Sequence, residues 1–370
     1  MPGLRRIAPA AALALLPLLG CPESPPGNAT PPVAAAPSPD EILREALDRF
    51  GRGDRAGGLE RAAAAFDAVA ASGVQPADAV ALRGLLERLL PLPPDEAPPR
   101  LIVNTTLALA ALEGMAAARA PLAARVEERP DSFAALFALG ALARAAGFEE
   151  PSRRWFERAG EAAPERHEPP FELGVLRAAA GDREGALERF DLAIARAPAD
   201  ADDAAKLRYY RGRVLSELGR TDEALEVWTS LAAGSGEFAS RAANDLGVAR
   251  LGRGDRDGAL EAFLAAVDAA PDRPAPQLNA GSLLAELARG EEATPHLERA
   301  RELRPEDPRP STLLGQVAED AGRDDDAEAR YREALRRAPE YETARYRLSL
   351  LLRRTGREAE ADALEAGDDR

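Results

Sequence analysis

EPPFELGVLRAAAGDREGALERFDLAIARAP, residues 168–198, holds two short amphipathic helical patterns separated by a Gly-Asp turn. The first runs from about Pro170 to Ala180, with Phe171, Leu173, Gly174 and Leu176 on its apolar side. Gly181-Asp182 breaks it, because glycine tolerates positive φ at a helix end and aspartate can cap the next helix. The second helix spaces Ala186, Leu187, Phe190, Ala193 and Ile194 along one face of a 3.6-residue period. Pro198 stops it, since proline lacks the N–H and crowds the preceding turn. Neither helix can bury its stripe alone. Gly174 and Ala186 let the pair approach closely, with Leu173 and Phe190 as the bulky contacts.

The unit recurs. The small residue of the first helix falls at Gly140, Gly174, Gly212, Gly247, Gly281 and Gly315, at spacings of 34, 38, 35, 34 and 34 residues. Bulky second-helix partners stand at Phe156, Phe190, Trp228, Phe263, Leu297 and Tyr331. Ala159, Ala193, Ala266, Ala300 and Ala334 accompany them, with Leu231 the exception. Terminal prolines recur at Pro164, Pro198, Pro271, Pro305 and Pro339, and Gly234-Ser235-Gly236 stands where one is missing. Four extra residues before Gly212 fall within 199–203 and imply a longer loop or an added helical turn. Pro295 is read as lying early in its second helix, where a missing N–H costs least.

In period, in helix-turn-helix form and in its Leu-Gly, Ala, aromatic, Ala and Pro positions, this pattern resembles the tetratricopeptide repeat. The resemblance covers about 133–341 and is weaker upstream. It implies an all-α fold, a right-handed superhelical solenoid of stacked helix-turn-helix repeats. Six repeats are expected over 131–341, degenerate ones over 40–130, and a partial repeat with a capping helix and charged tail over 342–370. The usual first-helix tryptophan and tyrosine are mostly absent, so packing there relies on smaller residues.

Residues 1–20 read as a signal peptide: Arg5 and Arg6 form the basic region, and Ile7 to Leu19 the apolar run. It ends Leu18-Leu19-Gly20-Cys21, which resembles the lipobox of bacterial lipoproteins. That resemblance implies acyl chains on Cys21, which anchor stably at about 0.8 kcal/mol per buried CH₂. Cys21 is also the chain's one cysteine, so no intramolecular disulfide can form. Pro22 comes after it in place of the aspartate linked to inner-membrane retention, which favours the outer membrane, facing the periplasm. Residues 21–39 form a proline-rich tether, extended at about 3.1 Å per residue and able to reach roughly 55 Å.

Folded sequence is expected from Asp40, read as the N-cap of a helix over Glu41–Phe50. Gly53 to Ala62, GDRAGGLERA, echoes GDREGALERF at 181–190 and marks a first repeat. There Gly58 and Ala62 replace the alanine and the aromatic, and Phe66 supplies bulk one turn later. Gly51-x-Gly53-x-x-Ala56 matches a dinucleotide fingerprint only formally, because a helix precedes it and not a strand. Ala77–Leu90 reads as one helix, Pro91–Pro99 as a loop and the best internal boundary, and Leu101–Ala118 as a long helix. Pro121 is expected to interrupt the stretch that continues to Pro130, and the helices of 77–130 are expected to pair.

Catalysis has little to work with. The chain holds two histidines, His167 and His296, in distant repeats, and no histidine or cysteine pair at metal-ligand spacing. GxSxG, HExxH and Walker A sequences are absent. The expectation is a non-enzyme with no cofactor and no metal. A formal net charge of −15 disfavours a nucleic-acid backbone, and leaves the lipid anchor as the membrane contact.

The resemblance implies a groove formed by particular first-helix positions. Carried over, these select Lys206, Tyr209, Tyr210 and Arg213, then Arg241, Asn244 and Asp245. Leu278, Asn279 and Ser282 come next, then Arg309, Thr312 and Gln316. Amides can hold an extended backbone and arginine or lysine a carboxylate. The expected function is an interaction scaffold tethered in the bacterial envelope, binding an extended peptide segment of a partner, an acidic one among the options. The alternatives are an assembly factor for an outer-membrane complex, by family analogy, and an accessory regulator of a cell-wall or polysaccharide enzyme.

Overall fold

A computed structural model describes residues 37–366, apart from 94, 95, 97 and 199–202. The leader, Cys21 and nearly all of the tether lie outside the described residues, as does the loop expected to lengthen at 199–203 except for Asp203. Among the described residues there are nineteen helices and no strand. Contacts divide the chain into two compact units, Met1–Thr221 and Asp222–Arg370.

The first unit opens with α1 (Pro39–Gly51) and α2 (Arg55–Ser72). Ser38, not Asp40, caps α1: its hydroxyl accepts from the Glu41 N–H, and the Glu41 carboxylate accepts from the Ser38 N–H at 2.7 Å. Asp40 instead accepts from the backbone N–H groups of Ala77 and Asp78 at 2.9 and 3.0 Å, tying α1 to the approach of the third helix. The bulk in this hairpin is also exchanged between its helices. A methyl group at Gly58 would lie 2.8 Å from the Phe50 ring, so the knob comes from the first helix, while Phe66 is half-buried.

Residues 79–128 form three helices, α3 (Ala79–Leu89), α4 (Pro99–Glu113) and α5 (Met115–Glu128), of which α4 and α5 pair as expected and α3 does not join a hairpin. Gly114, at φ 93, ends α4 five residues earlier than Ala118, because no helix accommodates that angle. Pro121 lies inside α5 without ending it. The carbonyl it leaves unpaired, on Ala117, belongs to a half-exposed residue where water can satisfy it. Pro295 likewise lies beyond the first turn of its helix.

The hairpin α4/α5 is in phase with the repeats downstream. Thr106, Ala118 and Leu122 stand 34 residues before Gly140, Ser152 and Phe156, and all three are at most 1 % exposed. A larger residue on the first helix thus faces a smaller one on the second. The odd helix is α3, packed on α1 and α4. Leu82, Leu85 and Leu101 share one core cluster, so the Pro91–Pro99 loop lies within a unit and divides nothing.

Next come the hairpins α6 (Phe133–Ala145)/α7 (Glu149–Ala162) and α8 (Glu168–Ala179)/α9 (Arg183–Arg196), then α10 (Ala204–Glu217). After α11 (Thr221–Ala232), the second unit stacks four hairpins. These are α12 (Glu237–Gly252)/α13 (Arg256–Ala269), α14 (Pro274–Glu286)/α15 (Gly290–Leu303), α16 (Pro308–Asp320)/α17 (Asp324–Arg337) and α18 (Glu342–Arg354)/α19 (Glu358–Ala366).

The expected close approach holds in five hairpins. A methyl group at Gly140, Gly174, Gly247, Gly281 or Gly315 would lie 2.5–2.7 Å from Phe156, Phe190, Phe263, Leu297 or Tyr331. Turns obey the Gly-Asp reading: Asp54, Asp182 and Asp255 each accept from a backbone N–H three residues on, at 3.0 Å. Gly322 takes φ 71 between α16 and α17, and one repeat earlier Ala288 takes φ 56 at the same position.

Candidate functional site

The second unit leaves one face of its first helices open. On α14 the residues that are not buried are Ala275, Asn279, Ser282 and Glu286, apart from the first-turn Pro274. On α16, Arg309, Leu313, Gln316 and Asp320 repeat the same spacing of four, three and four residues, which is one side of a helix. On α12 the corresponding stripe is Arg241, Asp245, Val248 and Gly252, flanked by Asn244 and Leu251. The helices α12, α14 and α16 pack on one another in order, so the stripes lie side by side.

An amide pair joins two of them. Asn279 Nδ2 donates to Asn244 Oδ1 at 2.8 Å, and Asn244 Nδ2 reaches Asp245 Oδ1 at 3.4 Å. Asn279 Oδ1 accepts no hydrogen bond from the described residues, and the Gln316 amide makes none among them. Both keep unused hydrogen-bonding valence. Val248 and Leu251 are 53 % and 37 % exposed, giving the stripe an aliphatic end.

The amidic character expected here is present, but the basic character is offset. Arg241 Nε donates to Glu237 Oε1 at 2.9 Å, and its guanidinium stands 5.7 Å from the Phe238 ring centroid. Arg309 grips Asp307 with two nitrogens at 2.9 and 2.6 Å. Burial alone would raise the Asp307 carboxyl, but hydrogen bonds from the Arg309 side chain and backbone outweigh it and hold it below the usual range. Glu286 and Asp320 are exposed and make no ion pair among the described residues.

Four of the sequence-selected residues, Lys206, Tyr209, Tyr210 and Arg213, belong to the first unit. Lys206 Nζ lies 4.4 Å over the Phe171 ring, and Tyr209 is buried at 6 % exposure, edge-on to Tyr210. Arg213 is exposed, 3.7 Å from Glu217. In this unit the α6 stripe that matches the open one is buried at Ala134, Ala138 and Ala141, whereas the matching residues of α10, Lys206, Tyr210, Arg213 and Glu217, are not buried. Leu278 and Thr312 are buried too, and the Thr312 hydroxyl donates to the Pro308 carbonyl.

Selection by polar residue type missed Val248, Leu251, Glu286 and Asp320. Helical phase counted from Gly247, Gly281 and Gly315 places Val248, Glu286 and Asp320 on the open side, with Leu251 at its flank.

His296 Nδ1 is 2.8 Å from Gln277 Oε1. The Gln277 amide nitrogen already donates to the Pro271 carbonyl, so Oε1 accepts and Nδ1 carries the proton. His167 Nε2 is buried without a hydrogen-bond partner, and burial holds that imidazole below its ordinary value. Among the described residues no group of three or more His, Cys, Asp or Glu could hold a metal ion, and no helix is long and apolar enough to cross a membrane.

A family model described as tetratricopeptide repeat matches residues 209–274, 244–308, 278–329 and 312–369. No curated protein matches the chain. Among solved structures, MamA from Desulfovibrio magneticus RS-1 is 21% identical, over 45% of this chain and 94% of that one, with a TM-score of 0.39. TTC0263, a thermophilic protein of the same repeat class from Thermus thermophilus, is 26% identical over 50% and 98%, with a TM-score of 0.34. The first repeat domain of Spaghetti (RPAP3), bound to the HSP90 peptide SRMEEVD, is 17% identical over 33% and 97%, with a TM-score of 0.32.

Proposed function

Residues 209–369 are tetratricopeptide repeats, a family of protein-interaction scaffolds, and from that premise we propose that this chain is a non-catalytic scaffold taking an extended peptide segment of a partner on the open face of α12, α14 and α16. The observation that carries this reading is the stripe around Asn279 and Gln316. First helices of a stack bury every side their neighbours need, as α6 does from Phe133 to Leu142. On α14 and α16 a full side stays open and presents amides with unused valence, the chemistry that satisfies an extended backbone.

A photo-crosslinking residue at Gln316 should capture the partner from membrane extracts, and one at Arg336, exposed on the second helix α17, should not. Capture from 336 with none from 316 would move the binding surface to the second helices. The Leu-Leu-Gly-Cys sequence ending at Cys21 supports a lipid tether that holds the scaffold in the bacterial cell envelope, at the outer membrane facing the periplasm. Labelled fatty acid should enter the chain and be lost in Cys21→Ala. A parent chain that takes up no label would remove the tether.

A further inference from the structure

The charges on the open face of the second unit select among peptides. Several first helices end with arginine in the last turn: Arg144 on α6, Arg177 on α8, Arg250 on α12, and Arg353 and Arg354 on α18. Cations there suit the partial negative charge at a helix C-terminus. Four first helices lack a basic last turn, and two of them, α4 and α10, end in carboxylates that are paired, Glu113 with Arg83 and Glu217 with Arg183. The other two, α14 and α16, end in Glu286 and Asp320. Both carboxylates work against the helix dipole, and neither has an ion-pair partner among the described residues. They occupy the same place on adjacent helices, 34 residues apart, so two like charges and two helix C-termini gather at one edge of the face.

The arginines that a carboxylate ligand would need are already engaged. Arg241 holds Glu237 and Arg309 holds Asp307 in a two-pronged grip. An acidic segment would have to break those pairs and meet Glu286 and Asp320 as like charges. A lysine or arginine would meet two uncommitted carboxylates. The exposed aliphatic side chains on this face, Val248 and Leu251, lie on the helix next to α14.

We infer that the segment bound on this face is basic and aliphatic: a branched apolar side chain seats on Val248 and Leu251, and a lysine or arginine farther along is held by Glu286 and Asp320. This rests on the peptide-binding reading of the same face and fixes the charge of the partner. It reverses the sign that the sequence positions of Arg241 and Arg309 suggest.

The test uses three fluorescent peptides of alternating valine with lysine, glutamine or glutamate, titrated against the folded, full-length protein. The Val-Lys peptide should bind most tightly and the Val-Glu peptide least. Glu286→Lys with Asp320→Lys should weaken the Val-Lys peptide by about tenfold, the scale of two exposed ion pairs turned repulsive. Glu291→Lys with Asp325→Lys makes the same change in net charge on the second helices and should leave it nearly unaltered. Equal losses in the two double variants, or binding of the Val-Gln or Val-Glu peptide as tight as that of Val-Lys, overturn the inference. Crosslinking from position 316 separates the two readings. A Val-Glu peptide that is captured there leaves the open face as the binding surface and overturns only its charge preference. Capture of none of the three from 316 overturns both.

Discussion

Gly247→Ala tests the close approach on which the hairpins depend, because it adds one methyl group where the helices touch. That methyl would lie 2.5 Å from Phe263 Cε1, 2.6 Å from Cδ1 and 3.1 Å from the Ala259 carbonyl oxygen. Carbon atoms at rest stand about 3.5–4.0 Å apart. Phe263 is 2 % exposed and Ala259 fully buried, so the ring has little room to retreat and the carbonyl, fixed in α13, has less. Overpacking of this kind costs about 1–3 kcal/mol, and the fixed backbone contact argues for the upper end. Alanine returns about 1 kcal/mol through its better helix propensity. The net loss should be about 2 kcal/mol, a roughly thirtyfold rise in the local open fraction.

The sign should invert when the ring is removed. Phe263→Ala alone costs about 3–5 kcal/mol. Added to that variant, Gly247→Ala should stabilise by about 0.5 kcal/mol at most, since the ring collision is gone and the propensity gain outweighs the remaining contact with the Ala259 carbonyl. Amide hydrogen exchange of α12 and α13 in the full-length chain reads the local opening and avoids assuming that a repeat array unfolds in one step. Slower exchange in Gly247→Ala, or the same shift in both backgrounds, would refute the collision account.

Three further outcomes rest on single contacts. Ala288 holds φ 56, where Gly322 stands one repeat later, so Ala288→Gly should raise stability by about 1 kcal/mol, against the usual cost of glycine, read by thermal unfolding. Tyr331→Phe keeps the buried ring but loses the bond its hydroxyl donates to Glu319 at 2.8 Å, and should cost about 1 kcal/mol by the same measurement. Because the Asp307 carboxyl is held below its ordinary value, its contribution is complete above about pH 4 and lost as pH falls through the lowered value. Carbon NMR titration should place the Asp307 midpoint below about 3.9, and Arg309→Ala should raise it.

How much of this was readable in the residues depended on how far each constraint reaches. The glycine ruler was legible because a missing side chain at Gly140, Gly174, Gly281 or Gly315 and a bulky one 16 residues later must match in volume wherever they recur. The same matching hid the register of 79–128. Thr106 faces Leu122 there, so neither member resembles its counterpart although their sum is preserved. Asp40 and Ser38 are both good caps, and only the position of the Ala77–Asp78 backbone decides which does that work.

Charge was harder to read than volume for a different reason. Glu237 and Asp307 lie four and two residues before the arginines they neutralise, close enough to be seen in sequence. A position pattern assigns each residue to a surface and takes its formal charge as available. Availability is a property of the pair, set by whether a carboxylate one turn away shares the solvent-facing side. Arg241 and Arg309 have such a neighbour, while Glu286 and Asp320, at the last residue of their helices, have no cation so placed. The residues free to act on this face are therefore those the fold leaves uncommitted, and their sign is opposite to that of the residues the pattern selects.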